Sequence, residues 1–88
     1  MASIPSSAHL QAFEAVARRR SFALAASELH LTASAVSHQV AKLEAQLGVR
    51  LFERSAHGVR LSAAGDLYLT RVSGALSAIA AATDDLRQ

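Results

Sequence analysis

The segment from Ser21 to Leu47 constrains the fold of this chain most, because it has the pattern of two short helices joined by a tight turn. Ser21 can cap a helix over Phe22–His30, since its hydroxyl can accept a free backbone N–H of the first turn. Thr32 can cap a second helix, Ala33–Leu47, in the same way. We therefore predict two helices that are short, consecutive and close in space.

The apolar residues of this segment are spaced to meet between the two helices. They are Ala26, Leu29, Leu31, Val36, Val40 and Leu43. Ala26 is small where the helices must cross closely, and Val36 is the inward anchor of the second helix. Gly48 follows as a left-handed C-terminal cap. This arrangement predicts a helix-turn-helix.

The outer face of the second helix differs from an ordinary solvated face, which would be rich in Glu and Lys. It carries Ser34, Ser37, His38, Ala41, Lys42 and Ala45. The one acid inside the helix, Glu44, lies on the flank towards the core. Small residues allow close approach to base edges, and Ser and His can bond bases or phosphates. The pattern favours a helix that enters a DNA groove.

A helix before this segment completes a three-helix core. Ser6 or Ser7 can cap it, it runs to about Arg19, and Met1–Pro5 is predicted to be a loose arm. Its inward residues have helical spacing; they are Leu10, Phe13, Val16 and Ala17. Phe22 is expected to pack against Phe13. The cations Arg18–Arg20 complement the helix dipole, and they are also candidates for phosphate contact.

The stretch after Gly48 predicts a two-stranded hairpin, Leu51–Arg54 against Val59–Leu61, with Gly58 supplying the turn. A hairpin is not stable alone, so this wing must lean on the helices, and the expected contacts are Leu51, Phe52 and Leu61. Three basic side chains of the wing can reach phosphates or a narrow minor groove; they are Arg54, His57 and Arg60.

Ser62 can cap a last helix that runs to about Leu86. A heptad-like seam of residues runs along one side of this helix. Its members are Gly65, Leu69, Val72, Leu76, Ile79, Thr83 and Leu86. The three-helix core is too small to cover so long a stripe, so we expect the far half to pack on a second copy of the chain; the alternative is a helix folded back on its own core. The predicted division is residues 1–61 for a DNA-binding domain and 62–88 for a linker and dimerisation helix.

Charge and composition agree with a polyanion partner for the middle of the chain. The 88 residues carry a net charge of only +2. Between Arg18 and Arg60, however, there are seven basic residues and three acids, so this segment has a net charge of +4. The chain has no Cys, no apolar run of membrane-spanning length and no signal-peptide pattern, so we expect a cytoplasmic protein.

Three other functional classes fit less well. A protein-interaction module would be indicated by an acidic outer face on the second helix, which is absent. An enzyme is not favoured, because no nucleophile elbow or Gly-rich phosphate loop occurs. A metal site is not favoured either, because the four histidines fall on four different predicted elements; they are His9, His30, His38 and His57. His30, at the turn between the helices, is expected to be structural.

The segments LQAFEAVA, SFALAASELHLT, SAVSHQVAKLEAQLGVRLFER and GVRLSAAG resemble the N-terminal DNA-binding domain of LysR-type transcriptional regulators. The resemblance covers about Leu10–Asp66, and the tail to Leu86 is similar to that family's linker helix. SAVSHQV is most similar to the branch that includes the glycine-cleavage and β-lactamase regulators. The resemblance implies a mainly α fold: a winged helix-turn-helix with a three-helix core, a two-stranded wing and a long linker helix.

The resemblance also implies the function of particular residues. Its base-reading positions fall on Ala33, Ser34, Ser37 and His38, where many members have Gln at the first, Pro at the second and Arg at the last. Its phosphate contacts fall near Ser21, Thr32, Lys42 and Arg54, and His57 lies where the wing often has Arg. Its members bind promoter inverted repeats as dimers in which the linker helices pair antiparallel; the residues for this contact are Leu69, Val72, Leu76, Ile79, Thr83 and Leu86.

Full-length members of the family carry a C-terminal effector-sensing domain. We therefore expect this sequence to be a fragment of a longer protein, with no cofactor of its own and no membrane partner. A small-molecule effector would act only through the domain that the sequence lacks.

Overall fold

The computed structural model describes residues 3–88, and its element order is that of a winged helix-turn-helix. The elements are α1 (Ser7–Arg19), α2 (Phe22–Leu29), α3 (Ala33–Leu47), β1 (Phe52–Ser55), β2 (Gly58–Leu61) and α4 (Ala63–Leu86). The predicted fold class is confirmed. The predicted N-terminal arm lies partly outside the described residues, and positions 3–5 have no regular secondary structure.

Every helix begins at the side-chain cap that the sequence predicts. Ser6, Ser21, Thr32 and Ser62 each accept the backbone N–H three residues later, at 3.0 to 3.2 Å between nitrogen and oxygen. The three helices of the core end in left-handed residues, which are Arg20, His30 and Gly48. Local hydrogen bonding therefore sets these boundaries, which explains why they were predictable.

The core lies where α1, α2 and α3 meet, and the wing closes one side of it. Its largest fully buried side chains are Phe13, Val16, Val36, Leu43 and Leu51. One packing prediction was wrong, and for Phe22 the packing on the core was right but the aromatic partner was not. Leu31 is 41% exposed, because the left-handed turn at His30 carries it outwards. The Phe22 ring lies against Phe52, at 6.0 Å between centroids, because Phe52 takes the place beside Phe13.

The wing is a single antiparallel pair that turns through Ala56–His57. Phe52 pairs with Leu61, and Ser55 pairs with Gly58, whose φ of +111° suits glycine. The first strand begins one residue later than predicted. The reason is that the Leu51 N–H donates to Glu44 and not to the neighbouring strand, although the Leu51 carbonyl still accepts the Ser62 N–H in the register of the pair.

The seam of α4 divides into two halves. Val72 is buried in the chain's own core, and Leu69 and Leu76 are half-buried against it. Assigning Val72 to a dimer surface was therefore wrong, because α4 packs on α1 and β2 over this length. Beyond the core the stripe is open, and Ile79 and Leu86 are 63% and 89% exposed. The division of the chain at residue 62 stays a prediction.

The cations at the end of α1 are mostly engaged within the protein. Arg18 pairs with Glu14 and Glu28, and Arg19 pairs with Glu28. This favours their structural interpretation over phosphate contact. The Arg18 guanidinium, with help from Arg19, lowers the pKa of Glu28 from 4.5 to about 2.

This lowered pKa predicts a specific loss of stability in acid. The ion pairs stabilise the fold fully above pH 4.5, and their contribution falls as the pH drops from 4.5 to about 2, because the unfolded state then binds a proton that the folded state does not. Urea unfolding of the wild type and Glu28→Gln over this range would check it. We expect the two curves to converge towards pH 2; a constant difference would contradict the prediction. The effect is small because the pairs are solvent-exposed.

Candidate nucleic-acid interface

The α3 helix presents the predicted reading face to solvent. Val36, Val40 and Leu43 point into the core, and this places the opposite side of the helix outside. Ala33, Ser34, and His38 are exposed and Ser37 is partly exposed. No carboxylate lies among these four residues, so the surface can approach a polyanion without like-charge repulsion.

Ser21 and Thr32, the two predicted phosphate contacts at helix starts, use their hydroxyl oxygens as caps for α2 and α3. A hydroxyl that accepts one backbone N–H still has its own proton to donate. Both capping residues can therefore bond a phosphate oxygen without loss of the cap. Lys42 is exposed one turn further along α3 than His38.

Arg54 joins the wing to the reading helix. Its guanidinium carbon lies 4.5 Å from the centre of the Phe22 ring, a cation–π contact. Its Nη2 also donates to the Ser37 hydroxyl at a long 3.4 Å. The structure thus brings together Phe22 of α2, Ser37 of α3 and Arg54 of β1. The sequence prediction missed Phe22 as the support for Arg54, because the aromatic at this position was read as a core residue alone.

The other two basic side chains of the wing stand apart from this cluster. Arg60 pairs with Glu53 on the neighbouring strand at 3.1 Å, and both side chains are well exposed. His57 lies at the exposed tip of the turn, where its backbone N–H donates to the Ser55 hydroxyl. A phosphate must therefore compete with Glu53 for Arg60, whereas Arg54 has no carboxylate partner within residues 3–88.

Glu44 makes a second connection between α3 and the wing. One of its carboxylate oxygens accepts the backbone N–H groups of both Leu51 and Phe52, at 2.7 and 3.3 Å. The sequence prediction placed Glu44 on the flank towards the core but did not find these partners. Their signal in the sequence is weak, because an acid seven residues before a backbone donor belongs to no local capping pattern.

In residues 3–88 no group of three or more His, Asp or Glu side chains is placed to hold a metal ion. Over the same residues no helix is long and apolar enough to span a membrane.

Comparison with known proteins decides the family. Residues 7–66 match the family model described as "Bacterial regulatory helix-turn-helix protein, lysR family". The chain belongs to the LysR family. Among curated relatives, the regulator PerR of Escherichia coli K12 is 51% identical over 63 residues, which are 72% of this chain and 21% of PerR. This LysR-family chain thus spans about a fifth of that relative's length.

Solved structures of LysR-family DNA complexes share the fold. The BenM DNA-binding domain in complex with catB site 1 DNA superposes with a TM-score of 0.84 at 29% identity, covering 90% of this chain and 89% of that one. The complex of the CbnR DNA-binding domain with DNA gives 0.79 at 38% identity, covering 90% and 91%. The resemblance to the glycine-cleavage and β-lactamase branch stays a prediction.

Proposed function

We propose that this chain is the DNA-binding part of a LysR-type transcriptional regulator and that it binds double-stranded DNA with sequence preference. The observation that carries the proposal is the exposed, carboxylate-free face of α3 with Arg54 of the wing held beside it. The family and the fold of the BenM and CbnR complexes support it. In this proposal α3 enters the major groove and the wing lies against the backbone or the minor groove.

The two kinds of contact make different contributions to binding. Lys42 and Arg54 supply affinity that depends on salt and not on sequence, because they displace counterions from phosphates. Ser21 and Thr32 donate to phosphates and set the register of the helix. Ser34, Ser37 and His38 discriminate between bases, each good contact contributing about 1–3 kcal/mol, while Ala33 contacts a thymine methyl. His57 and Arg60 extend the electrostatic surface along the wing.

The proposed unit is a dimer on an inverted repeat. The exposed far half of α4, with Ile79, Thr83 and Leu86, is the surface we assign to the second copy. A two-fold pair of reading helices then requires half-sites separated by whole helical turns of DNA. We propose no catalytic activity and no cofactor for this part of the protein, a cytoplasmic location at the nucleoid, and control by a small molecule through the remainder of a full-length regulator.

Selection of bound sites from random duplex DNA at two salt concentrations tests the proposal. We expect an enriched inverted repeat and an affinity that falls steeply with salt, since each phosphate contact lowers the slope of log K against log salt by about 0.9. Enrichment of no sequence at either salt concentration would contradict sequence preference, and absence of any duplex binding in dilute buffer would contradict the proposal entirely.

Single substitutions separate the two kinds of contact. We expect Ser37→Ala and His38→Ala to relax the preferred sequence, and Arg54→Ala to weaken binding to preferred and unrelated duplexes alike. Competition titrations with both duplexes measure this difference. Arg87→Ala, which removes the same charge at the far end of α4, is the matched control and should have little effect. The reverse pattern between Arg54 and the two α3 residues would show that the roles are wrongly assigned.

A further inference from the structure

The wing is joined to α3 by a short connection whose backbone is held by Glu44. Only residues 48–51 separate the end of α3 from the start of β1. Glu44 lies in the last turn of α3, and its single acceptor oxygen binds the N–H groups of Leu51 and Phe52. Without Glu44, these two N–H groups would have no hydrogen-bond acceptor on the neighbouring strand, at the point where the wing leaves the core.

The same connection is held from the opposite side by the start of α4. The Ser62 hydroxyl donates to the Arg50 carbonyl at 2.6 Å, and the Ser62 N–H donates to the Leu51 carbonyl at 2.9 Å. Ser62 directly follows β2, so both ends of the wing are fixed at one place. These contacts among Glu44, residues 50–52 and Ser62 form a junction between α3, the wing and α4. Glu44 is the residue that the reading helix α3 contributes to this junction.

The position of Arg54 depends on this junction. Arg54 lies two residues beyond Phe52 on β1, and the Phe52 ring supports Phe22, on which Arg54 stacks. A shift of the backbone at Leu51 and Phe52 would therefore move the guanidinium relative to Ser37 and the α3 face. The junction sets the distance between the two surfaces that must meet one duplex together.

We infer that Glu44 is a positioning residue for DNA binding, which holds the wing at the angle to α3 where both contact the duplex at once. This inference rests on the proposed DNA binding. The inference also predicts a change in DNA affinity opposite to the one that charge repulsion alone would give. A carboxylate on the flank of a DNA-binding face repels phosphates, so removal of its charge alone would strengthen binding. A positioning role predicts that removal of its acceptor oxygen weakens binding instead.

Glu44→Gln and Glu44→Ala separate charge from hydrogen bonding, because both variants lose the charge and only Gln keeps an acceptor. One amide oxygen is sufficient, since both N–H groups bind the same oxygen of Glu44. We expect Glu44→Gln to bind a selected duplex at least as tightly as the wild type. We expect Glu44→Ala to bind it about tenfold more weakly than Glu44→Gln, with a salt slope smaller by about 0.9 for each phosphate contact that the wing loses.

Hydrogen exchange of the Leu51 and Phe52 amides, measured without DNA, reports the junction directly. We expect fast exchange in Glu44→Ala and protection in Glu44→Gln. If Glu44→Ala does not fold, Glu44→Asp is compared with the wild type instead, because both carry the charge and the shorter Asp side chain withdraws the acceptor. Equal affinities and equal salt slopes for Glu44→Ala and Glu44→Gln, or for Glu44→Asp and the wild type, would overturn the positioning role while leaving DNA binding intact. Failure of the wild type to bind any duplex would overturn the proposed function instead, and this inference with it.

Discussion

Gly65→Ala should be strongly destabilising, with a loss of about 3 kcal/mol in the free energy of unfolding. A Cβ atom at this position would lie 2.1 Å from the carbonyl oxygen of Leu51 and 3.0 Å from a methyl carbon of Leu61. The carbonyl cannot move aside cheaply, because it belongs to the backbone and accepts the N–H of Ser62. The first turn of α4 would have to separate from the junction with the wing.

Gly74→Ala is the matched control, since the same change is made within the same helix where nothing lies within 4 Å of the added atom. There the higher helix propensity of Ala should raise stability by about 0.5–1 kcal/mol. Urea denaturation followed by circular dichroism gives both values, provided the slopes remain equal. Midpoints that shift in the same direction for the two variants would show that the close approach at Gly65 does not exist in solution.

Phe52→Ala should also have a large effect, about 3–5 kcal/mol of unfolding free energy. Phe52 is 5% exposed, and the centre of its ring lies 5.5 Å from that of Phe13 and 6.0 Å from that of Phe22. Its removal leaves a cavity between the wing and the three helices and deprives Phe22 of the support on which Arg54 depends. Small domains are stable by only about 5–15 kcal/mol, so a loss of this size is a large part of the total free energy of unfolding. It would also weaken the attachment of the wing to the helices.

Thermal and urea unfolding of Phe52→Ala would be compared with Leu67→Ala, a large apolar residue of α4 that is 75% exposed and should be close to neutral. We also expect Phe52→Ala to bind DNA more weakly at temperatures where it is still folded. A loss below about 1 kcal/mol would mean that the wing is not anchored through this ring.

The elements of the fold were predictable because local chemistry specifies them. The hydroxyl caps at Ser21 and Thr32, the C-terminal glycine at Gly48 and the apolar stripe through Val36, Val40 and Leu43 each act within a few residues. They determined α2, the turn and α3, and with them the face that α3 shows to solvent.

Contacts between elements were predicted less well. Phe22 was expected beside Phe13, but Phe52 intervenes, and Val72 was expected on a partner although the core of the same chain buries it. In both cases the spacing within one helix is correct. The helical period tells which face is apolar, but it does not tell which neighbour covers that face.

The sequence by itself thus determined the helices, the wing and the carboxylate-free reading face, because caps and periodicity depend on residues that are close along the chain. Only the tertiary structure decided the partners of Glu44, the position of Arg54 over Phe22 and the part of α4 that remains open. These depend on the angles and distances at which whole elements pack, and such geometry arises from many contacts between residues that are distant in sequence.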